Sequence, residues 1–431
     1  MNRHIEKLHR RKLVSDKKQA LKNGIQGKGF NIRLYWTDFA WVAAILAIST
    51  VCLELFYRMI VNYNDKYESD VRYYVSTRIQ KGEKHDRILT VIFEKLYHIN
   101  DNTMEANIYM AAVIAAIIVV NFIIIRFFIK HDGMLDSVPR YSMQVASLAA
   151  LFTGPIYFPV LHEWYYMHSF ESFAWHSPTQ QSMVLFSMIA TLCFLKMFLG
   201  YEEGISVGWW IATMITCILS ASTKPSFIVG FILTVIIFFL IELFKGGKED
   251  IGKRFTRLFI MGLSLVPAGV YTLWLQTKEF GDTTINEGEH HIVYGLKVLL
   301  SHEDVLREMI FGMAFALVVM AANYKRFKVN KYFLTLLIFL TGVFQWAFFT
   351  ETGKRANYGN FDWGRMHGNY FLSLICLALL IENIFVEDSV FPNNKKARKI
   401  YIAIALIILA MSVLSQLNYF RLILTGHGYM R

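Results

Sequence analysis

The chain has 431 residues, of which 55% are hydrophobic, 15% aromatic and 18% charged, and its mean hydropathy is +0.37. Soluble domains run near a quarter charged, so the composition excludes an ordinary soluble fold, and seven Pro argue against disorder. The net charge of +11 is no nucleic-acid signature, because ten Lys and Arg fall in residues 1–34 against Glu6 and Asp16 alone. A basic arm before the first apolar block is held on the cytoplasmic side by an anionic leaflet.

Apolar blocks near 20 residues long recur beyond that arm, each able to cross about 30 Å of hydrocarbon at about 1.5 Å per residue. A β-barrel would show short alternating segments instead. The pattern predicts an all-α, polytopic integral membrane helix bundle of about eleven spans: 38–60, 107–129, 141–160, 180–199, 207–222, 227–244, 258–276, 308–323, 332–349, 369–386 and 400–420. Residues 1–34 then form a basic cytoplasmic arm and 35–431 the transmembrane domain. No short apolar region with a cleavage site precedes the first span, so no cleavable signal peptide is expected.

With the amino terminus inside, loops 245–257, 324–331 and 387–399 are also inside and hold five, four and four Lys or Arg, as the positive-inside rule requires. Loops 61–106, 161–179, 223–226, 277–307 and 350–368 fall outside, with the carboxyl tail, in a plasma-membrane protein. Ten of the 13 His lie on that face, so chemistry is expected there. Within spans, Glu54 has Arg58 one turn on as a helix-face partner, whereas Arg126, Lys196, Glu242 and Glu382 lie near inner ends and are expected to snorkel. Cys52, Cys193, Cys217 and Cys376 sit in apolar blocks without CxxC spacing, which predicts buried thiols and no zinc site.

The first outer loop opens on Asn64-Asp65-Lys66-Tyr67-Glu68-Ser69-Asp70. Two amphipathic stretches follow, with Val71, Tyr74, Val75 and Ile79 on one stripe and Ile88, Val91, Ile92, Leu96 and Ile99 on the other. Such stretches lie in the membrane interface. Ser69 or Asp70 suits a helix cap there, and a carboxylate at that boundary is also placed to deprotonate a hydroxyl.

The second outer loop carries His162-Glu163, whose distance from His168 does not fit HExxH, and then Trp175-His176-Ser177-Pro178-Thr179. Its aromatics suit an interfacial belt or a sugar platform, and Pro178 suits a helix start. Lys224, in the turn Ser222–Ser226, runs against the positive-inside trend and either snorkels or holds a phosphate. Loop 277–307 is acidic at first and ends on His290-His291, as in a lid. Residues 351–365 gather Lys354, Arg355 and Arg365 with three Gly, Asn360 and Trp363. Glycines admit close backbone approach and Arg forks fit phosphate, so this loop is the expected anion or lipid-phosphate site. No metal site is read from any of these patterns.

Together these features resemble the GT-C superfamily of integral-membrane glycosyltransferases, in which an acidic residue soon after span one stands beside interfacial helices. Ser69-Asp70-Val71 looks most like that acidic motif. The stretches at Trp175–Thr179, Lys224–Ser226 and Glu351–Gly364 are similar to multi-span proteins of Gram-positive bacteria placed in the same superfamily. The chain departs from the pattern in lacking a DxD pair and a soluble carboxyl-terminal domain, so a divalent cation is compatible but no motif calls for one. The resemblance implies a polyprenyl-phosphate sugar donor, a glycopolymer or lipid acceptor of the cell envelope, and membrane lipids as surroundings. It implies Asp70 as catalytic base, with Asp65 and Glu68 as competitors, and Trp175, His176, Lys224, Arg355, Asn360 and Arg365 at the substrate. A polysaccharide polymerase or ligase of the O-antigen kind and a non-enzymatic lipid-linked sugar flippase are the alternatives.

Overall fold

The computed structural model describes residues 35–61, 70–74, 88–100, 103–157, 171–245, 250–280, 292–295, 305–351, 361–387 and 389–426. The chain divides into two compact units, Met1–Ala43 and Ala44–Arg431. In the first, the described residues begin helix α1 (Trp36–Val61), with the N–H of Tyr35 donating to Asp38 Oδ2 at 3.0 Å. All that follows concerns the second unit.

After α1 come α2 (Asp70–Arg72), α3 (Ile88–Asn100), α4 (Met104–His131), α5 (Arg140–Ala149), α6 (Pro178–Leu199), α7 (Val207–Thr223) and α8 (Ser226–Lys245). Then follow α9 (Ile251–Leu263), α10 (Val266–Phe280), strand β1 (Ile292–Tyr294), α11 (Val305–Ala322) and α12 (Asn330–Phe348). Strand β2 (Phe349–Glu351), α13 (Asp362–Phe385) and α14 (Lys395–Leu424) complete the order. The protein is an all-α polytopic membrane fold, and helix forms in every stretch expected to span.

Among the described residues, α1, α4, α6, α8, α12, α13 and α14 are long and apolar enough to cross a membrane. The pair α9 and α10, bent by 45° at its junction, raises seven candidates to eight. The expected eleven therefore include shorter pieces, of which α7 has 17 residues and α5 only ten. Helix α5 stops, after a 3-10 turn at Ala150–Phe152, because Thr153-Gly154-Pro155 follows. Proline lacks an N–H and disfavours helix in the residue before it.

A chain that leaves helical form inside a membrane must satisfy its backbone elsewhere. Helix α14 supplies the partners. The N–H of Gly154 donates to Ser412 Oγ at 2.8 Å, Ser412 Oγ donates to the Gly154 carbonyl at 2.5 Å, and the N–H of Tyr157 donates to Ser415 Oγ at 3.0 Å. The N–H of Ile156 donates to the carbonyl of Phe311 on α11 at 3.1 Å.

Helix α13 is the core element, 89% of its apolar window being buried, against 22% for α14. Its most extensive partner is α12. Three glycines let the two backbones meet, since a Cβ on Gly342 would lie 2.5 Å from the Gly364 carbonyl oxygen and one on Gly368 would lie 2.7 Å from Phe339 Cα. Gly364 and Gly368 are spaced as in the GxxxG pattern of close helix pairs.

Charge collects at the two ends of α13. At the Glu382 end, Asp132 accepts from Lys331 Nζ at 2.5 Å, from the Tyr332 hydroxyl and from Arg326 Nη1 at 3.1 Å. Arg326 Nη2 reaches Glu382 Oε2 at 3.2 Å. Nearby, Asn383 Nδ2 donates to Asn323 Oδ1 at 3.1 Å and to the Tyr401 hydroxyl at 3.0 Å.

Glu382 is fully buried, so the expectation that it snorkels is corrected: an arginine reaches in to it instead. Lys196 lies 4.4 Å from the centroid of the Trp209 ring, and Glu242 accepts from Tyr201 at 3.2 Å and Asn330 at 3.0 Å. Glu54 does pair with Arg58, at 2.7 Å, and all four cysteines are buried free thiols.

Candidate functional site

The opposite end of α13 brings together segments far apart in sequence. Residues 171–177 lead into α6, where Ser177 occupies the N-cap position and Pro178 the first turn, as the sequence suggests. Two glutamines bind this approach to the helix. Gln181 Nε2 donates to the Trp175 carbonyl at 2.7 Å, and Gln180 Oε1 accepts from the N–H of Ala174 at 3.4 Å. The Ser177 and Thr179 hydroxyls lie 3.2 Å apart. His176 is thereby held on a rigid support.

The His176 ring centroid is 6.4 Å from that of Trp363, in the first turn of α13. Lys224, which follows α7, places its Nζ 3.2 Å from the centroid of the same indole. Such a cation–π contact is worth about 2 kcal/mol or more when desolvated, and Lys224 is buried. It does not snorkel.

Asp70, the first residue of α2, is the third party. Burial pushes His176 below the ordinary imidazole range, Asp70 opposes that shift and Lys224 adds to it. A carboxylate, an imidazole favoured in its neutral form and an ammonium therefore stand within electrostatic reach of one another. Three separate stretches of the sequence supply them.

One turn along α13, Arg365 grips the carboxylate of Asp362 with both arms of its fork, Nε to Oδ1 and Nη2 to Oδ2 at 2.7 Å. Its Cζ lies 5.4 Å from the Trp346 ring centroid. Glu171 is buried beside this pair, and its carboxyl is raised well above the ordinary range. Burial contributes most to that shift, followed by the negative charge of Asp362, with Glu308 adding to it and Arg365 opposing. Burial thus favours the protonated form of this carboxyl, and among the described residues its Oε2 has no hydrogen-bond partner.

Of the residues singled out from sequence, Asp70, His176 and Lys224 are brought together here. Arg365 is adjacent but committed to Asp362. Trp175 is fully buried, its ring centroid 4.7 Å from Phe173, 4.6 Å from Phe420 and 5.9 Å from Phe152. It serves as core rather than as an exposed platform or belt. Asp65, Glu68, Arg355 and Asn360 lie outside the described residues.

Glu171, Glu308, Trp346 and Asp362 were not singled out as site residues, and Trp363 was noted only as part of the expected anion loop. The spacing of Asp362 and Arg365, three apart on a helix, was a readable signal. The inward position of Glu171 was not. The 277–307 loop holds strand β1, antiparallel to β2, with Ile292 opposite Glu351 and Tyr294 opposite Phe349. Among the described residues no three His, Cys, Asp or Glu side chains are grouped to hold a metal ion.

No protein-family model matches the chain, and no curated protein matches it in sequence. Among solved structures it is similar to the Archaeoglobus fulgidus oligosaccharyltransferase in its apo form, at a TM-score of 0.48 and 11% identity over 93% of this chain. The chain spans 57% of that protein's length.

Proposed function

We propose that the protein is a glycosyltransferase that moves a sugar from a polyprenyl-phosphate donor to a cell-envelope acceptor at the outer face of the plasma membrane, with its amino terminus cytoplasmic. One observation carries this reading: His176 and Lys224 converge on Trp363 from two segments, and Asp70 from a third stands within electrostatic reach of His176. Asp70 takes the proton of an acceptor hydroxyl. The freed oxygen attacks the anomeric carbon, and the bond from that carbon to the phosphate oxygen breaks. Lys224 meets the charge left on the lipid phosphate, with Arg355 as its partner in that role. His176, neutral, orients the acceptor by hydrogen bonding.

The test is transfer of a labelled sugar from a polyprenyl phosphate by purified protein carrying Asp70→Asn or Lys224→Met. Asn caps a helix nearly as well as Asp but takes no proton, so a stable Asp70→Asn protein should lose about 10²–10⁴ in rate. Transfer within a few-fold of wild type by that variant would remove Asp70 from the mechanism. Asp65→Asn and Glu68→Gln, measured alongside, identify which carboxylate is the base.

A further inference from the structure

Away from this site, α9 is the most amphipathic of the long elements, and among the described residues it has an exposed apolar face. Between Ile251 and Leu263 it carries Lys253, Arg254 and Arg257 and no acidic residue. At about 100° per residue the three cations share one arc, and Ile251, Phe255, Phe259 and Leu263 share another. Those four apolar side chains are exposed, and the Phe255 and Phe259 rings stack at 6.0 Å. A 45° bend separates α9 from α10, and a helix with a basic arc and an apolar arc suits the membrane interface.

Between α9 and the start of α7 is a cleft of about 380 Å³ lined by Ile205, Val207, Trp210, Arg257 and Ile260. Its walls are fixed in place. Trp210 Nε1 donates to the Ile260 carbonyl at 2.7 Å, and Arg257 Nη1 donates to the Glu202 carbonyl, which commits one of five guanidinium donors. Arg254 Nη1 donates to the Leu243 carbonyl at 2.8 Å. Four apolar walls and one guanidinium suit a molecule that is an alkyl chain at one end and an anion at the other.

We propose that this cleft seats an anionic phospholipid, its phosphate at Arg257 and the upper part of an acyl chain against Ile205, Val207, Trp210 and Ile260. Charge complementarity selects the occupant, because α9 offers three cations where a zwitterionic headgroup offers no net charge. Exposed Glu202 and Glu203 stand at the same end and temper attraction for a free anion, whereas the lipid adds apolar contact that a free anion lacks. The proposal stands on the cleft and α9 alone and is independent of sugar transfer.

Trp210 makes the test direct. The full-length protein is placed in nanodiscs containing phosphatidylglycerol or phosphatidylcholine with brominated acyl chains, and tryptophan quenching is compared with that of Trp210→Phe. The difference is the signal of Trp210. It should be quenched at lower mole fractions of the anionic lipid than of the zwitterionic one. Arg257→Gln should cut that preference about fivefold, the equivalent of one cation near a charged surface, and Arg257→Lys should keep most of it. Equal quenching by both lipids in the wild-type protein would overturn the proposal without any variant at Arg257. So would a Trp210 that neither lipid quenches, the result expected if a second copy of the chain covers the cleft.

Discussion

The close approach of the α12 and α13 backbones at Gly342 offers a sharp perturbation, Gly342→Ala. The new Cβ would lie 2.5 Å from the Gly364 carbonyl oxygen, 2.7 Å from its carbon and 2.8 Å from the Arg365 nitrogen. All three are backbone atoms and cannot rotate aside. Reaching an ordinary contact near 3.4 Å means moving α12 and α13 apart by about 0.9 Å. Overpacking of this kind costs about 1–3 kcal/mol.

The displacement falls on the turn that carries Trp363 and Arg365, so the site is disturbed along with the fold. The control is Gly200→Ala, whose Cβ would meet nothing nearer than the Lys196 carbonyl at 3.9 Å. Thermal melting of both variants in one detergent gives the comparison. Gly342→Ala should melt clearly below wild type while Gly200→Ala does not, and equal melting of the two variants would refute the account of the seam.

Lys331→Met should destabilise by about 3–5 kcal/mol, because Asp132 loses its nearest cation in a largely buried network. Adding Asp132→Asn should recover part of that loss in the same melts, and independent effects would show that the two side chains are not coupled. Glu171 has a folded-state pKa above its unfolded value, so its contribution to stability is complete below the unfolded value and is lost as pH rises through the folded one. Glu171→Gln should therefore remove the part of the fall in melting temperature that begins as pH rises above the ordinary glutamate range, and leave the more acid side unchanged. Asn394→Ala removes the side-chain cap that accepts from the N–H of Ala397 at 2.9 Å and should cost about 0.5–2 kcal/mol, measured by denaturant or thermal unfolding.

Much of the fold was legible because a membrane reduces the problem to apolar length. The long blocks became α4, α6, α8, α12, α13 and α14, and local spacing foretold the Glu54–Arg58 pair and Pro178 at the start of α6. The break after Phe152 was written in Gly154-Pro155, but a hydropathy window averages over two residues and reads through them. The site was partly legible: Asp70, His176 and Lys224 each stood out against their surroundings. Glu171 and Glu308 did not, because whether an acidic side chain faces water or a buried arginine depends on a neighbouring helix, and no local periodicity records which helix that is. The same limit hid the seam of Gly342, Gly364 and Gly368.

The broken third segment has a consequence for how the chain matures. The donors of Gly154 and Tyr157 wait for hydroxyls 258 residues downstream, on a helix synthesised much later. Until α14 arrives, that backbone must stay wetted, or bear unmet hydrogen-bonding groups in hydrocarbon at a cost of several kcal/mol each. The early segments can therefore enter the bilayer in sequence, but the third cannot settle while α14 is still unmade. A chain cut short before Ser412 leaves the Gly154 and Tyr157 backbone groups without these hydroxyl partners, an open polar fault far upstream of the cut.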